Sequence, residues 1–132
     1  MPYEILKNIP HKRVVTGEDS SEEIYDLYQL GIFNKKNIEL VELQPKTFYK
    51  QHYHKHSQAA IYIIFGTGIF LLGENKVKYK QNMQIDIAKN VLHGFVTNTK
   101  TLFLSIQSPP ILDPKTSTID LHYLQKTVKD ME

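Results

Sequence analysis

The sequence predicts an all-β domain, a sandwich or barrel of short strands with one short helix near the N-terminus. Between Asn37 and Pro110, Gly, Pro or Asn interrupts the chain every 8–12 residues, and the intervening runs are rich in Val, Ile, Tyr and Phe. Such runs between turn residues are typical of the strands of sandwiches and barrels. Two glycine-containing segments, 66–68 and 73–75, supply the positive-φ positions that hairpin tips need. Eight strands are predicted, at Ile38–Leu43, Thr47–Tyr53, Ala59–Phe65, Ile69–Leu72, Lys76–Tyr79, Met83–Ile87, Gly94–Thr97 and Thr101–Gln107.

The N-terminal part shows a different pattern. Ser20 is followed three positions later by Glu23, which is the spacing of a helix-capping box. The apolar residues that follow recur at helical spacing and Gly31 can end the helix, so a helix is predicted over 21–30. The segments Tyr3–Ile9 and Arg13–Thr16 are predicted to be extended.

The C-terminal part becomes polar after Pro109 and Pro110, and Asp120–Lys129 is predicted to be either a short helix or a frayed tail. The length of 132 residues fits one domain in total. We expect residues 1–36 to form N-terminal strands and the helix packed on a barrel. Residues 37–110 would form the barrel core and residues 111–132 a C-terminal segment.

Composition and charge exclude several classes of protein. The formal net charge is +2, the lysines are scattered and Arg13 is the only arginine, so a dedicated nucleic-acid binder is not expected. The chain has no cysteine, which excludes disulfides, cysteine zinc sites and thiol nucleophiles. No apolar run approaches the ~18 residues that span a bilayer, and the first residues lack a signal-peptide pattern. We therefore expect a cytoplasmic protein without membrane partners.

Four of the six histidines fall in two places in the sequence. His52 and His54 alternate along a predicted strand, and side chains two residues apart on a strand point to the same side. His93 comes 41 residues after His52, at the start of another predicted strand, and would complete a three-histidine metal site. His56 would join the pair only if the strand continued to it. The alternative is a solvated HxHxH edge without metal, with His93 as a hydrogen-bonded structural residue.

The surroundings of these histidines resemble the two sequence motifs of the cupin superfamily, over roughly residues 38–108. His52-x-His54 leads the first motif and Gly66 stands where its closing glycine belongs. The second motif is represented by Asn82, Ala88, Asn90, His93 and Asn98. The resemblance implies a small cupin-like jelly-roll barrel of six to eight strands. It also implies that His52, His54 and His93 bind one divalent transition metal per chain, with Fe, Mn, Ni and Zn not distinguished.

The chain departs from the cupin pattern at several positions. Ala59 stands where a glutamate usually supplies a fourth metal ligand, so the chain is a three-histidine variant. Gln58 and His56 are the candidates for an additional ligand or a contact behind the ligands. Lys46, Asn82 and Asn90 replace motif glycines, and asparagine tolerates the positive φ that such positions need.

Strand alternation then predicts what lines the interior. The residues expected to face inward with the histidines, as a substrate pocket, are Phe48, Lys50, Ile61, Ile63, Phe65 and Met83. An inward Lys50 would bind an anionic substrate, or its stem would pack inside while the ammonium reaches water. The tyrosines on the opposite face, Tyr49, Tyr53 and Tyr62, would form an aromatic patch, and we expect a homodimer.

These observations predict a metal-dependent enzyme that acts on a small organic molecule. The resemblance permits dioxygenase, isomerase or lyase chemistry without choosing among them, and no catalytic residue is assigned. One alternative is a non-catalytic sensor or small-molecule-binding module, which the missing glutamate favours. Another is a structural dimer whose interior is packed shut.

Overall fold

The structure, a computed structural model, describes residues 11–16, 23–113 and 118–123 of the 132-residue chain. The described residues form strands and turns, with no helix among them. The strands are β1 (His11–Thr16), β2 (Glu23–Phe33), β3 (Lys36–Leu43), β4 (Phe48–Tyr53), β5 (Gln58–Phe65), β6 (Gly68–Leu72), β7 (Asn75–Tyr79), β8 (Gln84–Ile87), β9 (His93–Thr97), β10 (Thr101–Ser108), β11 (Leu112–Asp113), β12 (Thr118–Ile119) and β13 (His122–Tyr123).

Two antiparallel sheets face each other. The first sheet has six strands in the order β1-β2-β3-β10-β5-β8, and the second has five in the order β13-β4-β9-β6-β7. A separate two-stranded ribbon joins β11 to β12. Neighbours such as β3 and β10 lie far apart in sequence, so the chain crosses between the sheets as it does in a jelly roll.

The core fills the space between the two inner faces. It is built from aromatic and branched aliphatic side chains of both sheets, with Phe70 fully buried and Ile63 and Ile87 each 2% exposed. Phe95 stacks on Phe103 across the core at 5.0 Å between ring centroids. The alternation of buried and exposed residues along β5 and β8 gives each sheet one apolar face.

All eight strands predicted between residues 38 and 107 are confirmed, each within two residues of its predicted ends. The predicted extended segment Arg13–Thr16 lies within β1, whereas Tyr3–Ile9 falls outside the described residues. The C-terminal prediction over 120–129 falls mostly outside them as well, and its described part contains β13.

The predicted helix over 21–30 is wrong, because residues 23–33 form β2. The helical spacing rested on Ile24, Leu27 and Tyr28, whereas the residues that pack on the core are Tyr25 and Leu27, two positions apart as on one face of a strand. Pairing with β1 on one side and β3 on the other satisfies the backbone along most of β2. Tertiary pairing here overrides a local helix-start signal.

A β-bulge in β4 changes which side chains face inward. Phe48 pairs with Val96 and Tyr49 with Phe95, but the next paired residues are His52 and His93. Tyr49 and His52 are three residues apart on β4, whereas their partners Phe95 and His93 are two residues apart on β9. The residues before the bulge therefore face the side opposite to the one that strict alternation from His52 predicts. Tyr49, expected on the outside, is 5% exposed, and Phe48, expected inside, is 52% exposed.

Candidate metal centre

Three histidines meet at one end of the second sheet. His52 on β4 lies directly opposite His93 on β9, and His54 follows the end of β4. The centroid of the His52 ring lies 4.3 Å from that of His93, and the His54 centroid lies 5.1 Å from each of the other two. Each ring offers a nitrogen to a group whose donor atoms all lie within 4.8 Å of one another.

Backbone carbonyls fix the orientation of all three rings. His54 Nδ1 lies 2.5 Å from the carbonyl oxygen of Asp120, and His93 Nδ1 lies 2.9 Å from that of Val91. A hydrogen bond with the backbone of Lys50 holds His52. When Nδ1–H donates to a carbonyl, Nε2 keeps its lone pair, and such carbonyl acceptors behind the rings are typical of metal-binding histidines.

The electrostatics keep these imidazoles neutral. Burial, together with the neighbouring His93 and His54, lowers the pKa of His52 to about 3. Burial likewise lowers the pKa of His93 to about 4 and the pKa of His54 below its ordinary value. Because only the neutral ring has a lone pair to give, these residues fit a metal ion of the kind that imidazole ligands suit.

The segment after β12 fastens this end of the sandwich. One oxygen of the Asp120 carboxylate accepts from the backbone N–H of Lys55 at 2.8 Å and from His122 Nε2 at 3.0 Å. The other oxygen accepts from the backbone N–H groups of His56 at 2.7 Å and Ser57 at 3.0 Å. We call this set of contacts the Asp120 clasp. It holds the turn after His54, while the Asp120 carbonyl holds the His54 ring.

A cavity of about 140 Å³ between the sheets reaches all three histidines. Its walls are mainly apolar, and a second polar region faces it from the first sheet: Glu39 on β3, with Ser105 and Gln107 on β10. The sequence reasoning missed both Glu39 and Asp120. Alternation with the buried Val41 and Leu43 could have placed Glu39 inside, whereas no local signal marked Asp120.

The comparisons with known proteins agree with this architecture. Residues 39–106, just over half of the chain, match the family model described as the cupin domain. The chain belongs to the cupin family. No curated protein sequence gives a significant match.

Solved structures of other cupins share the fold. A cupin 2 conserved barrel domain protein from Rhodopseudomonas palustris is 16% identical, with a TM-score of 0.72 over 94% of this chain and 81% of that one. A predicted oxalate decarboxylase from Thermotoga maritima is 19% identical, with a TM-score of 0.67 over 79% of this chain and 96% of that one. A sugar phosphate isomerase from Silicibacter pomeroyi is 16% identical, with a TM-score of 0.64 over 80% of this chain and 74% of that one.

The positions where this cupin lacks motif glycines keep the backbone of a glycine. Lys46, Asn82 and Asn90 have φ of 51°, 69° and 64°. Gly66, at the closing position of the first motif, has φ of 113°, and a Cβ there would lie 2.7 Å from the backbone of Thr101. The turns of the family are therefore retained although three of their glycines are replaced.

The predicted pocket residues divide into three groups. Lys50 and Ile61 line the cavity. Ile63 is buried in the core, Met83 packs against that core, and Phe65 is partly buried, all three outside the cavity wall. Phe48 points to solvent on the outer face of β4, since the bulge separates it from His52.

The residues proposed to replace the missing glutamate lie away from the histidine group. Gln58 is exposed on the face of β5 opposite to Ala59, which is buried and lines the cavity. The strand ends at Tyr53, so the alternation that would have turned His56 inward stops, and its side chain is exposed. Among the described residues, the group of possible ligands contains His52, His54 and His93 and no carboxylate.

Proposed function

We propose that this cupin is a metal-dependent enzyme that acts on a small organic molecule. The observation that carries the proposal is the group of three neutral, backbone-oriented imidazoles that lines a cavity of about 140 Å³. His52, His54 and His93 would hold one divalent transition metal. When bound, such an ion supplies Lewis acidity or activates oxygen.

The chain's own residues would shape the site around the ligand. His52, His54 and His93 bring no charge to the site, so the full 2+ charge of a metal faces the cavity. Lys50 lines the same cavity, and an anionic or carbonyl oxygen is the complement of that charge. Apolar side chains such as Phe95 and Phe103 exclude water from the rest of the wall.

The solved relatives support small-molecule chemistry without choosing a reaction. Besides the predicted oxalate decarboxylase and the sugar phosphate isomerase, they include DMSP lyases. Each shares less than 25% identity with this chain, so only the fold is shared. Dioxygenase, isomerase and lyase reactions all stay open for this cupin.

Elemental analysis of the untagged full chain tests the metal site. We expect about one equivalent of metal after purification or after loading with Fe(II), Mn(II), Ni(II) or Zn(II). His52→Ala should abolish this binding, and His56→Ala is the matched control because its ring is exposed and lies four positions further along the chain. Absence of metal in the loaded wild type, or retention of metal in His52→Ala, would overturn the assignment.

A substrate screen with the loaded protein tests catalysis. Turnover that disappears in His93→Ala supports the enzyme. Tight ligand binding without turnover would support the second candidate, a non-catalytic binding module. Ala59 favours this second candidate, because it leaves the site without the anionic ligand of the family motif.

We also propose a homodimer, through the outer face of the second sheet. Phe48 and Val96 lie opposite each other in the β4–β9 register and are 52% and 37% exposed. Light scattering of the wild type should give twice the chain mass, and Phe48→Ser should give the monomer mass. The domain division and the cytoplasmic location expected from the sequence stay predictions.

A further inference from the structure

A cluster of polar side chains occupies the inner face of the first sheet, opposite the histidines. Glu39, Ser105 and Gln107 line the cavity, and Asn37 and Gln29 lie behind them. We call these five residues the polar wall. Strand register places them together, because Glu39 pairs with Ser105, Asn37 pairs with Gln107, and Gln29 pairs with Glu39.

The polar wall stands next to the position of the missing family glutamate. Ala59 is the register partner of Gln107, and Gln107 hydrogen bonds to Glu39. The cavity carboxylate of this chain is therefore on β3, two strands away from position 59 on β5. Glu39 and the three histidines line the same cavity from opposite sheets, so the carboxylate faces the histidine group.

Amide groups hold the Glu39 carboxylate in place. Asn37 Nδ2 donates to Glu39 Oε1 at 2.5 Å and to Gln107 Oε1 at 3.0 Å, while Gln29 donates to Asn37 Oδ1. Gln107 Nε2 also donates to Ser105 Oγ at 3.1 Å. A carboxylate has about four acceptor sites, and the amides of Asn37 and Gln107 account for two of them.

The carboxylate of Glu39 keeps acceptor capacity at the wall of the cavity. Burial raises the pKa of Glu39, although hydrogen bonds from Asn37 and Gln107 oppose that shift. Because Glu39 lines the cavity, a ligand that donates a hydrogen bond can fill the acceptor sites that the two amides leave. A hydroxyl group is such a donor.

We propose that Glu39 and Gln107 form the hydrogen-bonding half of the ligand site, and that the ligand is a small hydroxylated carboxylic acid. Its carboxylate lies at the three histidines and Lys50, and its hydroxyl donates to Glu39. The inference rests on the proposed metal site. A cavity of about 140 Å³ suits a short chain, and facing sheets of a sandwich lie only about 10 Å apart.

Binding by the Co(II)-loaded full chain tests this inference. The probes are 3-hydroxypropionate against propionate and 4-hydroxybutyrate against butyrate, with Kd measured by calorimetry. The visible spectrum of Co(II) reports whether the carboxylate reaches the metal. In the wild type, at least one hydroxylated acid should have a Kd about tenfold or more lower than that of its partner without the hydroxyl. This is the difference expected from a hydrogen bond to a charged group.

Two variants separate recognition from folding. Glu39→Gln should reduce the preference for the hydroxylated acid to about threefold or less, because a neutral acceptor forms a weaker hydrogen bond. The metal stoichiometry should be unchanged. Glu42→Gln is the matched control, because Glu42 lies on the opposite face of β3 and pairs with Lys100 at 3.3 Å. It should leave the preference unchanged.

Each remaining outcome overturns the inference in a distinguishable way. Metal uptake with no preference in either pair, or with no acid bound, refutes the hydroxyl site and leaves the metal site standing. A lower Tm in Glu39→Gln with an unchanged preference shows a purely structural network. Failure of the wild type to take up metal refutes both proposals.

Discussion

The Asp120 clasp predicts that a single change outside the barrel strands weakens both the fold and the metal site. Asp120→Asn keeps the size of the side chain but replaces one carboxylate oxygen by an NH₂ group. Each oxygen accepts two hydrogen bonds, from Lys55 and His122 or from His56 and Ser57. In one orientation the new NH₂ group faces the backbone N–H groups of His56 and Ser57. In the other it faces the N–H of Lys55, while a neutral His122 ring can accept from it, so at least one backbone donor loses its partner.

The size of the effect follows from these contacts. A hydrogen bond to a charged acceptor contributes about 1.5–3 kcal/mol when buried, and partial exposure of this site favours the lower value. Loss of one such bond, together with the weakening of the others when the acceptor becomes neutral, should lower the free energy of unfolding by about 3 kcal/mol, which for a domain of this size lowers Tm by roughly 10 °C. The displaced Asp120 carbonyl would also release the His54 ring, and loss of such support typically weakens metal affinity about 10–100-fold.

Thermal unfolding of the metal-free protein and competition with a chelator measure the two effects. Asp86→Asn is the matched control, because Asp86 is exposed and accepts a side-chain hydrogen bond from Gln84. A Tm within about 2 °C of the wild type, together with unchanged metal affinity, would refute the reasoning.

The same clasp has a defined acid dependence. Burial raises the pKa of Asp120, but hydrogen bonds from His56, Lys55, His122 and Ser57 outweigh it and lower the pKa to about 2. Since this lies below the ordinary value of 3.8, the carboxylate stabilises the fold above about pH 4. That contribution is lost as the pH falls towards 2, and Asp120→Asn should lack this part of the acid transition.

Three further predictions follow from the site geometry. Ala59→Glu should tighten metal binding about tenfold or more in a chelator competition, because position 59 faces the cavity and a carboxylate would balance the 2+ charge; weaker binding would mean that the side chain cannot reach the metal. Because the pKa values of His52 and His93 are about 3 and about 4, metal binding at pH 6.5 should release few protons in calorimetry with different buffers. Three ordinary histidines would release about 1.5 protons, and that result would contradict the burial argument. Gly94→Ala should lower Tm and reduce metal content, because its Cβ would lie 2.6 Å from the Tyr49 carbonyl at the bulge; a normal metal content would show that the bulge can shift freely.

The metal-ligand candidates could be predicted from the sequence because they depend on local spacing and on family motifs. Alternation predicts that His52 and His54 project to the same side, and this holds although β4 ends at Tyr53, just before His54. The motif then pairs them with His93, and the structure brings the three together. The eight central strands were predictable for a similar reason, since turn residues separate short β-branched and aromatic runs.

The orientation of residues before His52 could not be predicted, because one bulge reverses it. Strict alternation placed Phe48 inside and Tyr49 outside, and the register shift between Tyr49 and His52 gives the opposite result. Gly94 makes room for that bulge, but a glycine next to a histidine is not enough to predict a bulge from the sequence. For β2 the sequence pattern fitted both a helix and a strand, and pairing with β3 decided between them.

The sequence by itself determined the eight central strands, their turns and the three histidines, because these depend on residues within a few positions of one another or on a family motif. Only the tertiary structure decided what surrounds them. Asp120 hydrogen bonds to His54 across 66 positions, and Asn37 hydrogen bonds to Gln107 across 70. No spacing or motif in the sequence predicts either pair. The polar half of the cavity and the clasp that fixes His54 depend on which strands become neighbours, and that choice is made by the packing of two whole sheets.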